Sequence, residues 1–225
     1  MSNILLIGDS WAITPPHLIE STNWFEYQFM QRGHNVFTKC WGANANGFQL
    51  NLAEVFLKAV EHTHKIDLVI WFHTEVMRDW NSGRRDINFE HYDFDGLLDA
   101  LATETYNKAT ALKNLYPHIK WAIIGGHCAL RETHKHMLDW ADYRIDNWRQ
   151  EIVGQAMPEC HTTTFLWMLE QYVEVLGADI VERELANRET IINACKNSDL
   201  FYDGIHPGIK PMTDLANKII ARFNL

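Results

Sequence analysis

The chain has 225 residues, 47% of them hydrophobic and 22% charged, with a formal net charge of −9. That length and apolar content suit a single domain, 1–225, with a sizeable core, and the charge level without low-complexity tracts excludes a disordered chain. The acidic balance, with no Lys/Arg run, argues against a nucleic-acid or anionic-membrane surface.

The first ten residues, MSNILLIGDS, carry neither a basic start nor an apolar stretch long enough to span a membrane. Neither signal peptide nor anchor is expected, and a cytoplasmic location follows. Residues 4–7 form a short apolar run that reads as a buried parallel strand. Residues 24–32 read as a helix stopped by Gly33, and 35–39 as a second strand. Residues 50–62 place Leu52, Val55, Phe56, Ala59 and Val60 at helical spacing. Residues 67–72 (DLVIWF) are a third, apolar strand, 95–115 a longer helix, and 119–124 a fourth strand closed by Gly125 and Gly126. From 131 to 192 the pattern is mainly helical and places no fifth strand; 211–223 closes the chain as a helix.

Strand–helix alternation of this kind implies an α/β fold, a three-layer α/β/α sandwich around a mainly parallel sheet. Ligands bind such sheets at the carboxyl ends of the strands. The segments to inspect therefore follow the strands: 8–10, 40–47, 73–78 and 125–131. Four cysteines (Cys40, Cys128, Cys160, Cys195) form no CxxC pair and read as reduced, mostly buried thiols.

Two motifs carry chemistry. Ser10 follows the first strand directly, where its hydroxyl can face the crevice and its backbone N–H can serve an oxyanion; Gly-Asp-Ser alone is more often an ordinary turn. Near the other end lies Tyr202-Asp203-Gly204-Ile205-His206-Pro207-Gly208. A D-x-x-H spacing lets a carboxylate orient an imidazole that acts as general base; by itself it is also a turn introducing the last helix.

Together, GDS after the first strand and DGIHPG before the last helix resemble the SGNH/GDSL hydrolase family, in the chain order Ser…Asp…His. The resemblance implies a flavodoxin-like SGNH fold and a triad of Ser10, Asp203 and His206. The expected activity is hydrolysis of a carboxylic ester through an acyl-enzyme on Ser10, with no cofactor. It further implies an oxyanion hole drawing on the Ser10 backbone, on Gly42 (Gly47 being the second choice) and on an Asn after the third strand. There the sequence departs from the family pattern G-x-N-D: His73 stands for the Gly and Glu75 for the Asn. An ionised carboxylate cannot donate to an oxyanion, so Asn44, Asn46 and His73 are the candidate replacements. Asp9, His73, Glu75 and Arg78 are expected to line the substrate site. Glu75 either enters the pocket, neutral or paired with Arg78 or Arg131, or is a helix-starting acid.

Residues 78–95 suggest a rim or lid in which Trp80, Phe89, Tyr92 and Phe94 meet substrate, or a solvated loop whose rings tuck against the domain. Among twelve histidines, His62/His64, His134/His136 and His127 form no ligand set and read as surface residues, so no metal is expected. The expected substrate is a small-molecule or carbohydrate ester, the nine tryptophans fitting a sugar and a packed core equally. Two rival readings are an SGNH-fold binding protein with a decayed oxyanion hole, and an unrelated α/β module with coincidental turns.

Overall fold

In the computed structural model, residues 1–12, 25–42, 44–81, 93–160, 176–203 and 205–225 are described. Five strands, β1 (Asn3–Gly8), β2 (Asn35–Cys40), β3 (Leu68–His73), β4 (Lys120–Gly125) and β5 (Tyr143–Ile145), form one sheet in the order β2-β1-β3-β4-β5. Among the described residues all four pairings are parallel, as the expected parallel sheet requires.

Alternation along the strands sorts the core into two layers. Leu5, Ile7, Val69, Trp71, Trp121 and Ile123 face α2 (Asn46–Val60) and α4 (Phe94–Leu115), burying Leu50, Ala53, Leu57, Leu98, Leu101 and Tyr106 against them. On the other face, Ile4, Leu6, Ile70, Phe72, Ala122 and Ile124 meet α1 (Phe25–Met30), α5 (Trp148–Val153), α6 (Ala178–Lys196) and α7 (Ile209–Phe223). The three-layer α/β/α sandwich expected from the sequence is thus the observed architecture. Short α3 (Met77–Asn81) follows β3.

The fifth strand corrects the expectation for 131–192. It holds only three residues, between a 3₁₀ turn at Lys135–Leu138 and α5, too few for a period of two to register. Helix α2 begins at Asn46, earlier than the apolar pattern indicates. Its N-cap, Ala45, gives no side-chain bond; instead Asp79 Oδ1, from α3, accepts the Gly47 N–H at 2.6 Å. That carboxylate supplies from a distant segment what a local Ser or Asp normally supplies.

Of the two readings for Phe94, the ring tucked against the domain is the one observed: it is buried at the start of α4 behind its cap Asp93. Phe89, Tyr92 and the Trp80 side chain lie outside the described residues, as does Trp24. All four cysteines are free thiols, three of them buried. No described helix is long and apolar enough to cross a membrane.

Gly125, last in β4, lies so close to the following segment that a Cβ there overlaps the Asp146 carbonyl. Gly125→Ala is therefore expected to cost at least about 1–3 kcal/mol of unfolding free energy, read as a lowered urea midpoint. An unchanged midpoint contradicts the close approach.

Candidate active site

The chain passes from β1 outward to β2 and returns to β3 on the other side, so the strand order reverses between β1 and β3. In open α/β sheets that switch point is where a ligand crevice forms, outside the carboxyl ends of the strands. Gly8 ends β1 in a turn so tight that a Cβ would sit 2.7 Å from Ala12 Cβ and 2.8 Å from Phe72 Cβ. Asp9 holds the turn: its Oδ1 accepts the Trp11 N–H at 2.9 Å and its carbonyl accepts that of Ala12 at 3.1 Å. Asp9, Trp11 and Ala12 are buried, which leaves Ser10 partly exposed between them.

The C-terminal motif is folded just as tightly. Phe201 bridges Pro207, the Tyr202 N–H donates to the His206 carbonyl at 3.1 Å, and the Gly208 N–H donates to that of Leu200 at 2.7 Å. Asp203 Oδ1 accepts the backbone N–H groups of Ile205 and His206 at 2.9 and 2.7 Å. Its Oδ2 lies 2.6 Å from His206 Nδ1, and His206 Nε2 lies 2.9 Å from Ser10 Oγ. An ionised Asp203 places the imidazole proton on Nδ1, so Nε2 presents its lone pair to the serine hydroxyl. Tyr202 stacks on the imidazole with centroids 5.6 Å apart and planes 18° from parallel.

Burial pushes the Asp203 carboxyl up, but hydrogen bonds from the His206 backbone and ring and from the Ile205 backbone outweigh it, holding the group below the ordinary aspartate range. A depressed folded pKa contributes stability that is complete above the unfolded value, about 3.9. That contribution is lost as pH falls through the folded value. Asp203→Asn is therefore expected to show a smaller stability deficit at pH 3 than at pH 6 in urea unfolding. A deficit independent of pH contradicts the assignment.

The candidate oxyanion donors separate clearly. Gly47 has its N–H taken up by Asp79. The Asn46 amide is also committed: Nδ2 donates to the Thr74 carbonyl and Oδ1 accepts the Thr74 N–H, both at 2.9 Å, tying the loop after β2 to the loop after β3. His73 is buried on the α4 side, edge-on to Trp71, with Nε2 3.5 Å from Tyr106 Oη. Asn44 differs: its Nδ2 is buried and has no hydrogen-bond partner among the described residues. Gly42 is exposed, with open space where a Cβ would sit.

Glu75 stands just ahead of α3, and its carboxylate joins a buried ionic chain. Arg78 Nε donates to Glu75 Oε2 at 2.6 Å and Arg78 Nη1 to Asp9 Oδ2 at 3.0 Å. His127 Nε2 lies 3.1 Å from Glu75 Oε1, and Arg149 Nη2 donates to His127 Nδ1 at 3.3 Å. Because a guanidinium only donates, Nδ1 is the acceptor and the His127 proton sits on Nε2, directed at Glu75. Burial pushes the His127 pKa down, against the upward pull of Glu75, consistent with that neutral form.

Asp9, Glu75, Arg78, His127 and Arg149 are each no more than 5% exposed. Of the two partners considered for Glu75, Arg78 is the one present. Arg131 is engaged by Asp95, Asp99 and Glu159. His127 corrects the expectation of surface histidines: it is interior, beside Trp11, with centroids 5.7 Å apart. Arg149 and Trp11 were not legible as site residues. Arg149 lies over the Trp11 ring at 4.8 Å, a contact that no local sequence pattern announces. Among the described residues no cluster of three or more His, Cys, Asp or Glu could hold a metal ion.

No protein-family model matches the chain, and no curated protein matches it. Solved structures do. The chain is similar to an esterase from Pseudoalteromonas sp. inhibited by monoethylphosphonate, at 10% identity and a TM-score of 0.43, covering 88% of this chain and 98% of that one. It is also similar to the lipase/acylhydrolase from Enterococcus faecalis, at 14% identity and a TM-score of 0.42, covering 99% and 95%. A third is a catalytic mutant of an acetylxylan esterase from Geobacillus stearothermophilus, at 13% identity and a TM-score of 0.42, covering 100% and 94%.

Proposed function

We propose that the chain is a serine esterase of the SGNH type that works through an acyl-enzyme on Ser10. The observation that carries this reading is the continuous hydrogen-bonded line from Asp203 Oδ2 through the His206 ring to Ser10 Oγ, with links of 2.6 and 2.9 Å. Two residues 196 positions apart meet in the geometry that converts a hydroxyl into a nucleophile.

In the proposed reaction His206 Nε2 takes the Ser10 proton as Oγ attacks the ester carbonyl. Asp203 stabilises the imidazolium. The Ser10 N–H, the Gly42 N–H and the unpartnered Asn44 Nδ2 receive the developing oxyanion, and Asn44 takes the part that Glu75 cannot play. His206 then protonates the departing alcohol, and water attacks the acyl-enzyme with the same base to release the acid. The substrate is a small-molecule or carbohydrate ester. Trp41, held to the Gly8 carbonyl through its N–H at 3.2 Å yet 65% exposed, offers a ring beside the crevice, as does Tyr202.

The test is turnover of p-nitrophenyl acetate before and after treatment with an alkyl phosphonate ester. One phosphonyl group on the Ser10 peptide, read by mass spectrometry, with stoichiometric loss of turnover, is expected. Labelling elsewhere, or turnover that persists in the labelled protein, sinks the mechanism; absence of both favours a binding protein.

A further inference from the structure

The buried ionic chain encloses the nucleophile. It starts at Asp9, immediately before Ser10, passes through Arg78 and Glu75 to His127, and reaches Trp11, immediately after Ser10, by ring contact. The Trp11 N–H closes the ring on Asp9 Oδ1. Arg149 braces the far side through His127 Nδ1 and the Trp11 face. Four segments contribute: the turn after β1, the start of α3, the loop after β4, and α5. With His127 neutral, the described members of this chain are two carboxylates, Asp9 and Glu75, and two guanidinium groups, Arg78 and Arg149, of equal and opposite charge.

We propose that Arg78 is a positioning residue for Ser10: its guanidinium neutralises the Asp9 carboxylate beside the nucleophile and, anchored by Glu75, fixes the turn that presents the serine to His206. The Glu75 that displaces the expected Asn thereby has a task of its own, as the second carboxylate that holds Arg78 in place. The inference rests on Ser10 being the nucleophile. Two physical effects support it. An unpaired carboxylate at Asp9 opposes the negative charge that develops on the neighbouring tetrahedral centre, in a site where burial strengthens such repulsion. Loss of the strut also frees the turn, and a displacement of about 1 Å at a nucleophile costs about a hundredfold in rate.

The experiment compares Arg78→Met, Arg78→Lys, Asp9→Asn and the double variant Asp9→Asn/Arg78→Met on p-nitrophenyl acetate, with kcat expressed per phosphonate-titratable Ser10. Normalising to titrated sites removes any unfolded fraction, which a purely structural role would change instead. Arg78→Met is expected to lower kcat about a hundredfold with KM within about twofold. The double variant, free of the unpaired carboxylate, is expected to recover about tenfold of that loss, and Arg78→Lys to fall between. A titrated kcat within about threefold of the parent in Arg78→Met overturns the inference. So does a double variant no faster than the single one. Should Arg78→Met fail to fold, the charge-balanced double variant and Arg78→Lys decide: the inference falls if both match the parent. Parental turnover that survives Ser10→Ala overturns the esterase reading itself, and the inference with it.

Discussion

Ser10→Ala is expected to lower kcat on a short-chain p-nitrophenyl ester by about 10⁴- to 10⁶-fold while leaving the urea midpoint close to that of the parent. The size follows from the proposed mechanism: without Oγ no covalent intermediate forms, and the rate that survives comes from binding and oxyanion donors alone. The small stability effect follows from its setting. Ser10 is partly exposed, whereas the residues on both sides of it are buried and hold the turn without its hydroxyl. His206→Ala is expected to match it, because members of a triad act as a unit, and Ser10→Ala/His206→Ala is expected to be scarcely slower than either. Multiplicative losses in the double variant contradict the triad.

Glu75→Ala is expected to be the most damaging single change to stability, at about 3–5 kcal/mol. The carboxylate is 1% exposed and receives Arg78 Nε at 2.6 Å and the His127 ring at 3.1 Å. Alanine takes from the guanidinium one of the two carboxylates that bind it among the described residues, and from the His127 ring the carboxylate that faces its Nε2. A buried pair broken from one side costs far more than the pair contributes when intact. Glu75→Gln keeps the volume but turns one acceptor into a donor facing another donor, so it is expected to lose about 1–3 kcal/mol. Tryptophan fluorescence in urea reads both variants. A loss under about 1 kcal/mol for Glu75→Ala shows that the chain is not held together by this carboxylate.

The hydrogen-bonded line proposed as a triad was legible because each half is a short-range object. A strand-ending Gly-Asp-Ser and a D-x-x-H turn are written in consecutive residues, and their joint resemblance to the SGNH/GDSL family supplied the long-range pairing. The sheet was legible because β1, β3 and β4 are buried on both faces and read as unbroken apolar runs. What escaped depends on partners distant in sequence. His127 looks like any loop histidine until the fold brings Glu75 and Arg149 to its two nitrogens. The start of α2 escaped because its cap comes from Asp79, 32 residues onward. Strand β5 is too short for periodicity to speak. Among the oxyanion candidates, only pairing in three dimensions separates the committed amide of Asn46 from the unpartnered one of Asn44.

The 196-residue separation between Ser10 and His206 also has a meaning in time. A ribosome adding about 5–20 residues per second needs roughly 10–40 s to make the stretch between them. Throughout that interval the nascent polypeptide holds the Ser10 hydroxyl without its proposed base, His206, and on that reading it is inert toward esters. On the proposed mechanism, chemistry begins only when the turn carrying His206 docks beside Ser10, so hydrolysis is expected to be absent from any nascent chain that lacks that turn.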